Sequence, residues 1–454
     1  MNLVSINPAT GVLLKTLPGW DERALEQCLQ RVARVTPAWA AQPLAARAAL
    51  LRQTAVLLRA RKATLARLIT QEMGKLLAEA HAEIEKCAWG CEYYAEQGAR
   101  FLGAEVIPTE AAKSYVCYEP LGTVLAVMPW NFPFWQVFRC AVPALMAGNT
   151  VLLKHASNVP QCALAIEELF GNAGFPADVF RTLLIENRQV ERVIADARVH
   201  AVSVTGSVTA GRAVAAAAGA HLKKTVLELG GSDAFIVLED ADLESTVTHA
   251  VTSRFLNAGQ SCIAAKRMIV LDDVADEFVQ RLKAALERLL PGDPLADTTT
   301  LAPLARADLR DELHVQVRES IAQGAQPVTG CAPLEGRGNY YAASLLDRVE
   351  PGMRAYDAEL FGPVACVIRA RDEHDAVRIA NDTRFGLGAS VWTQDSARGE
   401  RIARALRCGA AFVNGIVKSD PRLPFGGIKD SGYGRELSHH GLHEFVNIKT
   451  VWIK

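Results

Sequence analysis

The chain has 454 residues, of which 50% are hydrophobic and 22% are charged, and its net charge at pH 7 is −1. This composition is typical of a globular protein long enough for two or three domains, each with its own core. The lack of a basic excess argues against nucleic acid and anionic membranes as partners. The first residues contain no basic segment followed by an apolar one, so no signal peptide is expected.

Ten cysteines are scattered along the chain, and no two have the Cys-x-x-Cys spacing. The nearest pair, Cys87 and Cys91, is one helical turn apart. This usage is typical of reduced thiols in a cytoplasm rather than of a disulfide framework or a zinc site, so we expect a cytoplasmic protein without a metal. The longest apolar runs, such as residues 213–220, are too short to span a bilayer.

The N-terminal hundred residues have the pattern of helices. In residues 21–35 apolar side chains recur at helical spacing, with Asp21 in position to cap the first turn. Residues 44–70 continue the same period with strong helix formers.

From about residue 123 onward, short β-rich runs alternate with helical ones. Two series, before and after residue 262, comprise residues 123–128, 150–154, 179–185, 199–205 and 233–238, and then 267–271, 364–370, 388–393 and 410–414. Such alternation predicts parallel sheets covered by helices, and therefore two α/β domains joined near residues 228–260. Residues 113–122 and 445–454 have strand composition but belong to neither series, and we expect them to pair with each other or with another subunit.

One cysteine lies in a small, weakly polar loop, FLNAGQSCIAAKR, at residues 255–267. A packing cysteine normally lies in an apolar run, and a metal-binding one has a partner two to four residues away. Cys262 is therefore a candidate nucleophile. It then needs a base, an oxyanion donor and an electron acceptor from elsewhere in the chain.

Two polar residues are candidates for the first two roles. Glu228 lies in LELGGSD, where burial among leucines raises a carboxyl pKa towards that of a general base; a solvated strand end is the alternative. Asn131 lies in VMPWNFPFWQVFRC, where its amide can donate to an oxyanion; an Asx turn is the alternative. Arg139, in the same apolar segment, needs an anion, either in an internal salt bridge or on a substrate.

A nucleotide site is suggested by weaker signals, since the chain has neither Gly-x-Gly-x-x-Gly nor a P-loop. Gly206 and Ser207 precede an alanine-rich helix whose free N–H groups can hold a pyrophosphate, although a capped helix with a packing glycine explains them equally well. Lys154, at a strand end, faces either a ligand crevice or solvent. Glu359 and Phe361, in a Gly-Pro turn, likewise face either a ligand or solvent.

Five ordered motifs give the chain a family resemblance. The segments PWNFP, LELGGSD, NAGQSCIAAKR, ELFGPV and PFGGIKDSGYGREL have the order and spacing of the NAD(P)-dependent aldehyde dehydrogenase superfamily. The resemblance extends from INPATG near the start to the C-terminus. Within the superfamily the chain is most similar to the short bacterial succinate-semialdehyde dehydrogenases, through LLKHASNVP, TVLELGGSD and GRELSHHGLHEF.

The resemblance implies an α/β fold with three parts. These are a Rossmann-like NAD(P)-binding domain (residues 1–102 and 121–230), an α/β catalytic domain (231–430), and a small β oligomerisation arm with the C-terminal tail (103–120 and 431–454). A homodimer or homotetramer is implied.

The resemblance also implies roles for individual residues. Cys262 attacks the aldehyde, Glu228 acts as the base, and Asn131 forms an oxyanion hole with the backbone N–H of Cys262. Hydride passes to NAD or NADP, and the thioester is hydrolysed to a carboxylate. The implied cofactor residues are Trp130, Lys154, Ser157, Gly206, Ser207, Leu229, Glu359 and Phe361, and the implied substrate residues are Arg139, Trp135 and Ser419, with Lys418 as a possible helper.

The sequence departs from the common family pattern at three positions. His155 and Ser157 replace the Pro and Glu of Lys-Pro-x-Glu, so a 2′-phosphate is not repelled and NADP is expected to be tolerated or preferred. Leu256 replaces an arginine that clamps the substrate carboxylate in some relatives. Ala264 replaces a second cysteine, so no disulfide switch is expected.

The leading hypothesis is therefore oxidation of succinate semialdehyde with NAD(P). Glutarate semialdehyde or general aliphatic aldehydes are the alternative substrates. A thiol hydrolase or acyltransferase that uses Cys262 without a nucleotide is a different class of hypothesis. A non-catalytic dinucleotide-binding protein is disfavoured by the intact set of Cys262, Glu228 and Asn131.

Overall fold

The N-terminal part of the computed structural model, which describes residues 2–454, begins with a β-hairpin and continues with four helices. Their bounds are β1 Asn2–Ile6, β2 Leu13–Pro18, α1 Glu22–Ala40, α2 Leu44–Ala60, α3 Lys62–Met73 and α4 Leu77–Phe101. The helical prediction is wrong for the hairpin, because Asn7 and Gly11 form a tight turn. Asn7 pairs through its backbone with Val12, and Gly11 has a φ of 72° that favours glycine.

The helical prediction is confirmed from residue 22 onward. Asp21 caps α1 by accepting a hydrogen bond from the Ala24 N–H at 2.8 Å. The predicted helix over residues 44–70 is present as two helices, α2 and α3, which are separated at Arg61.

The first large sheet carries four of the five runs in the first predicted β-rich series, together with residues 224–228, which neither series contains. The prediction is wrong for the fifth run, residues 233–238, because this run pairs on both sides with strands of the second large sheet. Its parallel strands and their helices are β5 Thr123–Met128, α5 Trp135–Ala147, β6 Thr150–His155, α6 Pro160–Asn172, β7 Phe180–Thr182, α7 Val190–Ala195, β8 Ala201–Thr205, α8 Val208–Ala220 and β9 Lys224–Glu228. The spatial order is β9-β8-β5-β6-β7, with all neighbours parallel. In this doubly wound order ligands bind at the carboxyl ends of the strands where the order reverses, here between β5 and β8.

The second large sheet carries the second series. Its elements are β10 Asp233–Val237, α9 Leu243–Phe255, β11 Ala265–Leu271, α10 Asp272–Leu286, α11 Ala307–Ala322, β12 Gln326–Thr329, β13 Ser344–Asp347, α12 Arg354–Asp357, β14 Val364–Ala370, α13 Glu373–Asn381, β15 Gly388–Trp392, α14 Ser396–Ala405 and β16 Ala410–Val413. The order is β12-β13-β14-β11-β10-β15-β16, parallel except for the edge strand β12. Strands β12 and β13 were not predicted. Because Cys262 precedes β11, it lies at the amino end of that strand.

The two unassigned extended stretches pair with each other. Strand β18 (Val446–Ile453) runs antiparallel to β4 (Lys113–Pro120), and β3 (Glu105–Val106) pairs with the other edge of β4. The tail also contains β17 (Gly432–Tyr433) and α15 (Ser438–His443). Strand β17 pairs antiparallel with β9, so the start of the predicted tail is attached to the first large sheet.

Each large sheet has its own apolar core, which accounts for two α/β units. Helices α2, α4 and α5 pack on one face of the first sheet, and helices α9, α10 and α13 contribute to the core of the second. Among residues 2–454, no helix is both long and apolar enough to cross a membrane.

Candidate active site

Two cavities meet at the thiol of Cys262. One, of about 270 Å³, is lined by residues from the carboxyl ends of β5, β8 and β9 and by the loop at residues 359–361. The other, of about 430 Å³, is lined by residues of α4 and α5 and by the loop at residues 416–419. Since Cys262 lines both cavities, two different molecules can approach this residue at the same time.

A left-handed turn sets the path of the chain before the cysteine. Asn257 and Ala258 have φ values of 55° and 51°, which non-glycine residues seldom adopt. The Asn257 amide holds this turn against the β5 loop by donating to the backbone oxygen of Asn131 at 2.8 Å. In return, the Asn131 amide donates to the backbone oxygen of Gln260 at 3.0 Å. The nucleophile loop and the predicted oxyanion donor are thus fixed to each other.

The guanidinium of Arg254 ties the same loop to the loop that contains Glu359. Arg254 is fully buried, and it donates to four backbone oxygens at the two loops, those of Gly259, Leu360, Gly362 and Val364. Burial lowers its pKa to about 10, so the group is still charged at neutral pH. Carbonyl dipoles rather than a carboxylate therefore solvate this cation.

The ammonium group of Lys266 holds the cysteine loop on its other side. It donates to the backbone oxygens of Ser261 at 2.7 Å and of Cys262 at 2.9 Å, and it lies 3.3 Å from Glu359. Gly231 also approaches closely, since a Cβ on it would lie 2.5 Å from the Cys262 oxygen. The glycine pair of LELGGSD is therefore a steric requirement of the site.

The thiol itself is unreactive at rest. Burial raises the pKa of Cys262 to about 12, although the nearby charges of Arg139 and Lys266 lower it. Because almost no thiolate exists at neutral pH, the nucleophile needs a base.

Glu228, at the end of β9, has the properties of such a base. Burial raises its pKa to about 8, while Arg139 lowers it and Glu436 raises it. Neither of its carboxylate oxygens accepts a well-formed hydrogen bond from any residue in 2–454. The alternative of a solvated strand end is excluded, because Glu228 is only 2% exposed.

The predicted cofactor residues Trp130, Gly206, Ser207, Leu229, Glu359 and Phe361 all line the first cavity. Ser207 also caps α8 by accepting a hydrogen bond from the Ala210 N–H, so the capped helix is present and the pyrophosphate role stays a prediction. Glu359 accepts a hydrogen bond from the Gly231 N–H at 3.2 Å. A Cβ at Gly230 would lie 2.3 Å from a carboxylate oxygen of Glu359. Any side chain at position 230 would therefore displace this carboxylate.

Lys154 and Ser157 lie farther along the same sheet edge. The Lys154 ammonium donates to Asn187 at 2.5 Å, and burial lowers its pKa to about 8. Ser157 is exposed and lines a separate cavity of about 410 Å³ together with Asn187 and Arg188. His155 is buried between the backbone oxygens of Met128 and Pro133, where burial lowers its pKa to about 4.

The predicted substrate residues Trp135, Arg139 and Ser419 line the second cavity. The Trp135 indole donates to the Ser419 hydroxyl at 3.0 Å. Arg139 forms a buried ion pair with Glu436 and donates to Thr205 at 3.2 Å, so the internal salt bridge is present. Its role as a carboxylate clamp stays a prediction.

Lys86, which the sequence did not indicate as a site residue, lines this cavity as well, and burial lowers its pKa to about 8.

The comparisons with known proteins agree with this geometry. A model of the aldehyde dehydrogenase family matches residues 2–451. The chain belongs to this family. It is 50% identical to a probable NADP⁺ succinate-semialdehyde dehydrogenase of Synechocystis sp. over 453 residues, with 100% of both chains covered. It is 49% identical to a succinate semialdehyde dehydrogenase [NAD(P)⁺] of Escherichia coli over 449 residues, covering 99% of this chain and 97% of the relative.

Solved structures show the same aldehyde dehydrogenase fold. The succinic semialdehyde dehydrogenase of Streptococcus pyogenes, crystallised with NADP⁺, superposes with a TM-score of 0.98 at 37% identity, covering 99% of each chain. The succinate-semialdehyde dehydrogenase of Burkholderia pseudomallei has a TM-score of 0.96 at 35% identity, covering 99% of this chain and 94% of that one.

Sequence reasoning missed several residues that shape the site of this aldehyde dehydrogenase. Arg254 and Lys266 flank the cysteine loop, where each lies at the end or the beginning of an apolar element. A basic residue in such a position indicates a buried cation, so the sequence could have identified both. Glu436 lies in a glycine-dense motif, and nothing local distinguishes it. Lys86 lies on a helix some 170 positions before Cys262, so only the fold brings the two to one cavity.

Replacing Arg254 by Met is expected to lower the free energy of unfolding by at least about 3 kcal/mol. Four buried backbone oxygens lose their donor, and each unsatisfied group costs about 1–3 kcal/mol. Thermal unfolding of the wild type and the variant measures the loss. Arg281→Met, at an exposed helix position, is the matched control and should change stability by less than about 0.5 kcal/mol. Equal losses in the two variants would contradict the role assigned to Arg254.

The pH profile of the enzyme is expected to report the ionisation of Glu228. The group is protonated below about pH 8 and accepts a proton only above it, so kcat/KM should rise about tenfold per pH unit between pH 6 and 7.5 and then level off. The measurement uses saturating dinucleotide and a neutral aldehyde, because the pKa of Lys86 is also about 8. Glu228→Gln should remove the rise. A profile that is flat over this range in the wild type would exclude Glu228 as the base.

Proposed function

We propose that this aldehyde dehydrogenase oxidises succinate semialdehyde to succinate with NADP⁺ or NAD⁺. The observation that carries the proposal is the convergence of two cavities on one thiol, the first with the predicted cofactor residues and the second with polar and cationic side chains. The relatives that are about 50% identical over the whole chain are named for this activity.

The chemistry begins at Cys262. Its sulfur attacks the aldehyde carbon, and the thiol proton passes to Glu228, whose raised pKa suits it to hold a proton near neutral pH. Negative charge develops on the aldehyde oxygen. The Asn131 amide uses one N–H for Gln260 and has a second to donate to this oxygen, together with the backbone N–H of Cys262.

We propose that a dinucleotide binds at the first cavity. It lies at the point where the strand order reverses, where open α/β sheets bind such ligands, and Gly230 leaves room there for Glu359. We propose that Glu359 and Lys154 bind the ribose hydroxyls, and that Gly206 and Ser207 bind the pyrophosphate. The bound dinucleotide supplies the hydride acceptor for the oxidation. Glu228 then releases the thiol proton to solvent and, ionised again, removes a proton from the water that attacks the thioester, so that the sulfur of Cys262 leaves and the acid is released.

The choice of dinucleotide depends on Ser157. A glutamate at this position would repel a 2′-phosphate, whereas the exposed Ser157 hydroxyl does not. We therefore propose that the enzyme prefers NADP⁺ and accepts NAD⁺.

The test is an absorbance assay at 340 nm with succinate semialdehyde, glutarate semialdehyde and butanal as substrates. We expect the highest kcat/KM for succinate semialdehyde with NADP⁺, and no signal from Cys262→Ala. Ser157→Glu should lower kcat/KM for NADP⁺ at least tenfold, about 1.4 kcal/mol, through charge repulsion, and leave NAD⁺ active. A preference for butanal would instead favour a general aldehyde substrate. The absence of any dinucleotide-dependent signal would favour a thiol hydrolase.

We also propose that the arm joins subunits into a homodimer or homotetramer. Strands β3 and β18 are the two edges of the arm sheet, and their exposed apolar side chains include Val106, Ile448 and Trp452, which are 73%, 61% and 48% exposed. Light scattering should give a mass of two or four chains, and an Ile448→Lys, Trp452→Lys double variant should lower it. A monomeric wild type at micromolar concentration would contradict this proposal.

The cysteines support a reducing cytoplasm as the place of action. Among residues 2–454 all ten are free, and six are buried. Cell fractionation tests this proposal, which recovery of the enzyme outside the cytoplasmic fraction would contradict.

A further inference from the structure

Lys86 is a cation without an anion partner at the substrate-side cavity. It projects from α4, it is half-buried, and it lines the same cavity as Cys262. Among residues 2–454 no carboxylate lies within 4.0 Å of its ammonium nitrogen. A desolvated cation without a partner gains free energy when an anion arrives.

The position of the ammonium group is fixed before any ligand binds. Its nitrogen donates to the Ser419 hydroxyl at 2.7 Å and lies 4.6 Å from the centre of the Trp135 ring. Ser419 accepts a second hydrogen bond from the Trp135 indole. Both acceptor sites of this hydroxyl are therefore used, while its own proton is donated to no residue in the described part of the chain. Lys86 has two further N–H groups, so together the two side chains offer donors that suit a carboxylate.

The other cation at this cavity is already neutralised. Arg139 is paired with the buried Glu436, and it also lies against the Phe425 ring. Leu256, which also lines the cavity, carries no charge. Lys418 is exposed.

The acidic groups near Lys86 are committed elsewhere. Glu83 is ion-paired with Lys75 and accepts the backbone N–H groups of residues 134 and 135. Glu79 accepts the Asn257 N–H at 2.9 Å, and burial raises its pKa, which favours its neutral form. Asp420 is bound by Arg422 at 2.8 Å. Lys86 therefore supplies the uncommitted charge at this end of the cavity.

We propose that Lys86 is a specificity-determining residue that binds the carboxylate of an acid-terminated aldehyde, with the Ser419 hydroxyl as the second donor. This proposal rests on the proposed function of the site. It assigns the carboxylate clamp to a residue of the N-terminal helix α4. Since the aldehyde end reacts at Cys262, Lys86 affects which substrate is held and not the chemistry at the sulfur.

The test compares kcat/KM for succinate semialdehyde and for butanal, an aldehyde of equal carbon number without the charge. Lys86→Met should lower the value for succinate semialdehyde roughly 10–100-fold, the worth of a charged hydrogen bond, mainly through KM. The value for butanal should stay within about threefold of the wild type, which also demonstrates that the variant is folded. Lys86→Arg should restore part of the preference because it keeps the cation.

Two further variants sharpen the test. Lys283→Met, the same change at a half-buried lysine of α10 that lines none of the cavities at Cys262, should leave both values unchanged. Lys86→Gln removes the charge but keeps a donor for Ser419, and it should weaken inhibition by succinate at least tenfold even if Lys86→Met is unstable.

The outcomes separate this proposal from the one on which it rests. A wild type that does not prefer succinate semialdehyde to butanal overturns the proposed substrate and, with it, the assignment of Lys86. If the wild type has that preference and both Lys86→Met and Lys86→Gln retain it, the proposed substrate stands. Only the assignment of Lys86 is then overturned.

Discussion

The buried guanidinium of Arg254 is the interaction on which the rest of the site depends. It has no carboxylate partner, so the backbone oxygens of the Cys262 loop and of the Glu359 loop must converge on it to offset the cost of burying its charge. A flexible loop cannot hold carbonyl dipoles in such an arrangement. The charge therefore rigidifies two segments that are about a hundred residues apart in the chain and that both line the first cavity.

The site lies where the two large sheets approach each other, and neither sheet holds all of it. The first contributes the carboxyl ends of its parallel strands, with Asn131 and Glu228, whereas the second contributes the amino end of β11 and the loop that carries Cys262. Reciprocal hydrogen bonds between the Asn131 and Asn257 segments join the two. A thiol at the boundary can be reached from both sides, while the strands behind it stay packed.

Much of this arrangement was predictable because the signals are local. A β-rich run that ends in a small polar loop identified β5, β8 and β9 and the residues that follow them. The predictions failed where the composition of a segment does not indicate its pairing. The hairpin of β1 and β2 depends on one turn at Asn7–Gly11, and strands β12 and β13 depend on pairing with each other and with β14. Ionic partners are the extreme case: Arg139 needed an anion, but only the fold identifies it as Glu436.

The high pKa of the Cys262 thiol has a consequence for the life of the enzyme between turnovers. Peroxides and disulfides react with thiolates, and the protonated thiol is a poor target for both. A nucleophile that is deprotonated only when Glu228 accepts its proton is therefore protected while no substrate is bound. Burial, which makes the thiol a weak nucleophile at rest, also preserves it from oxidation.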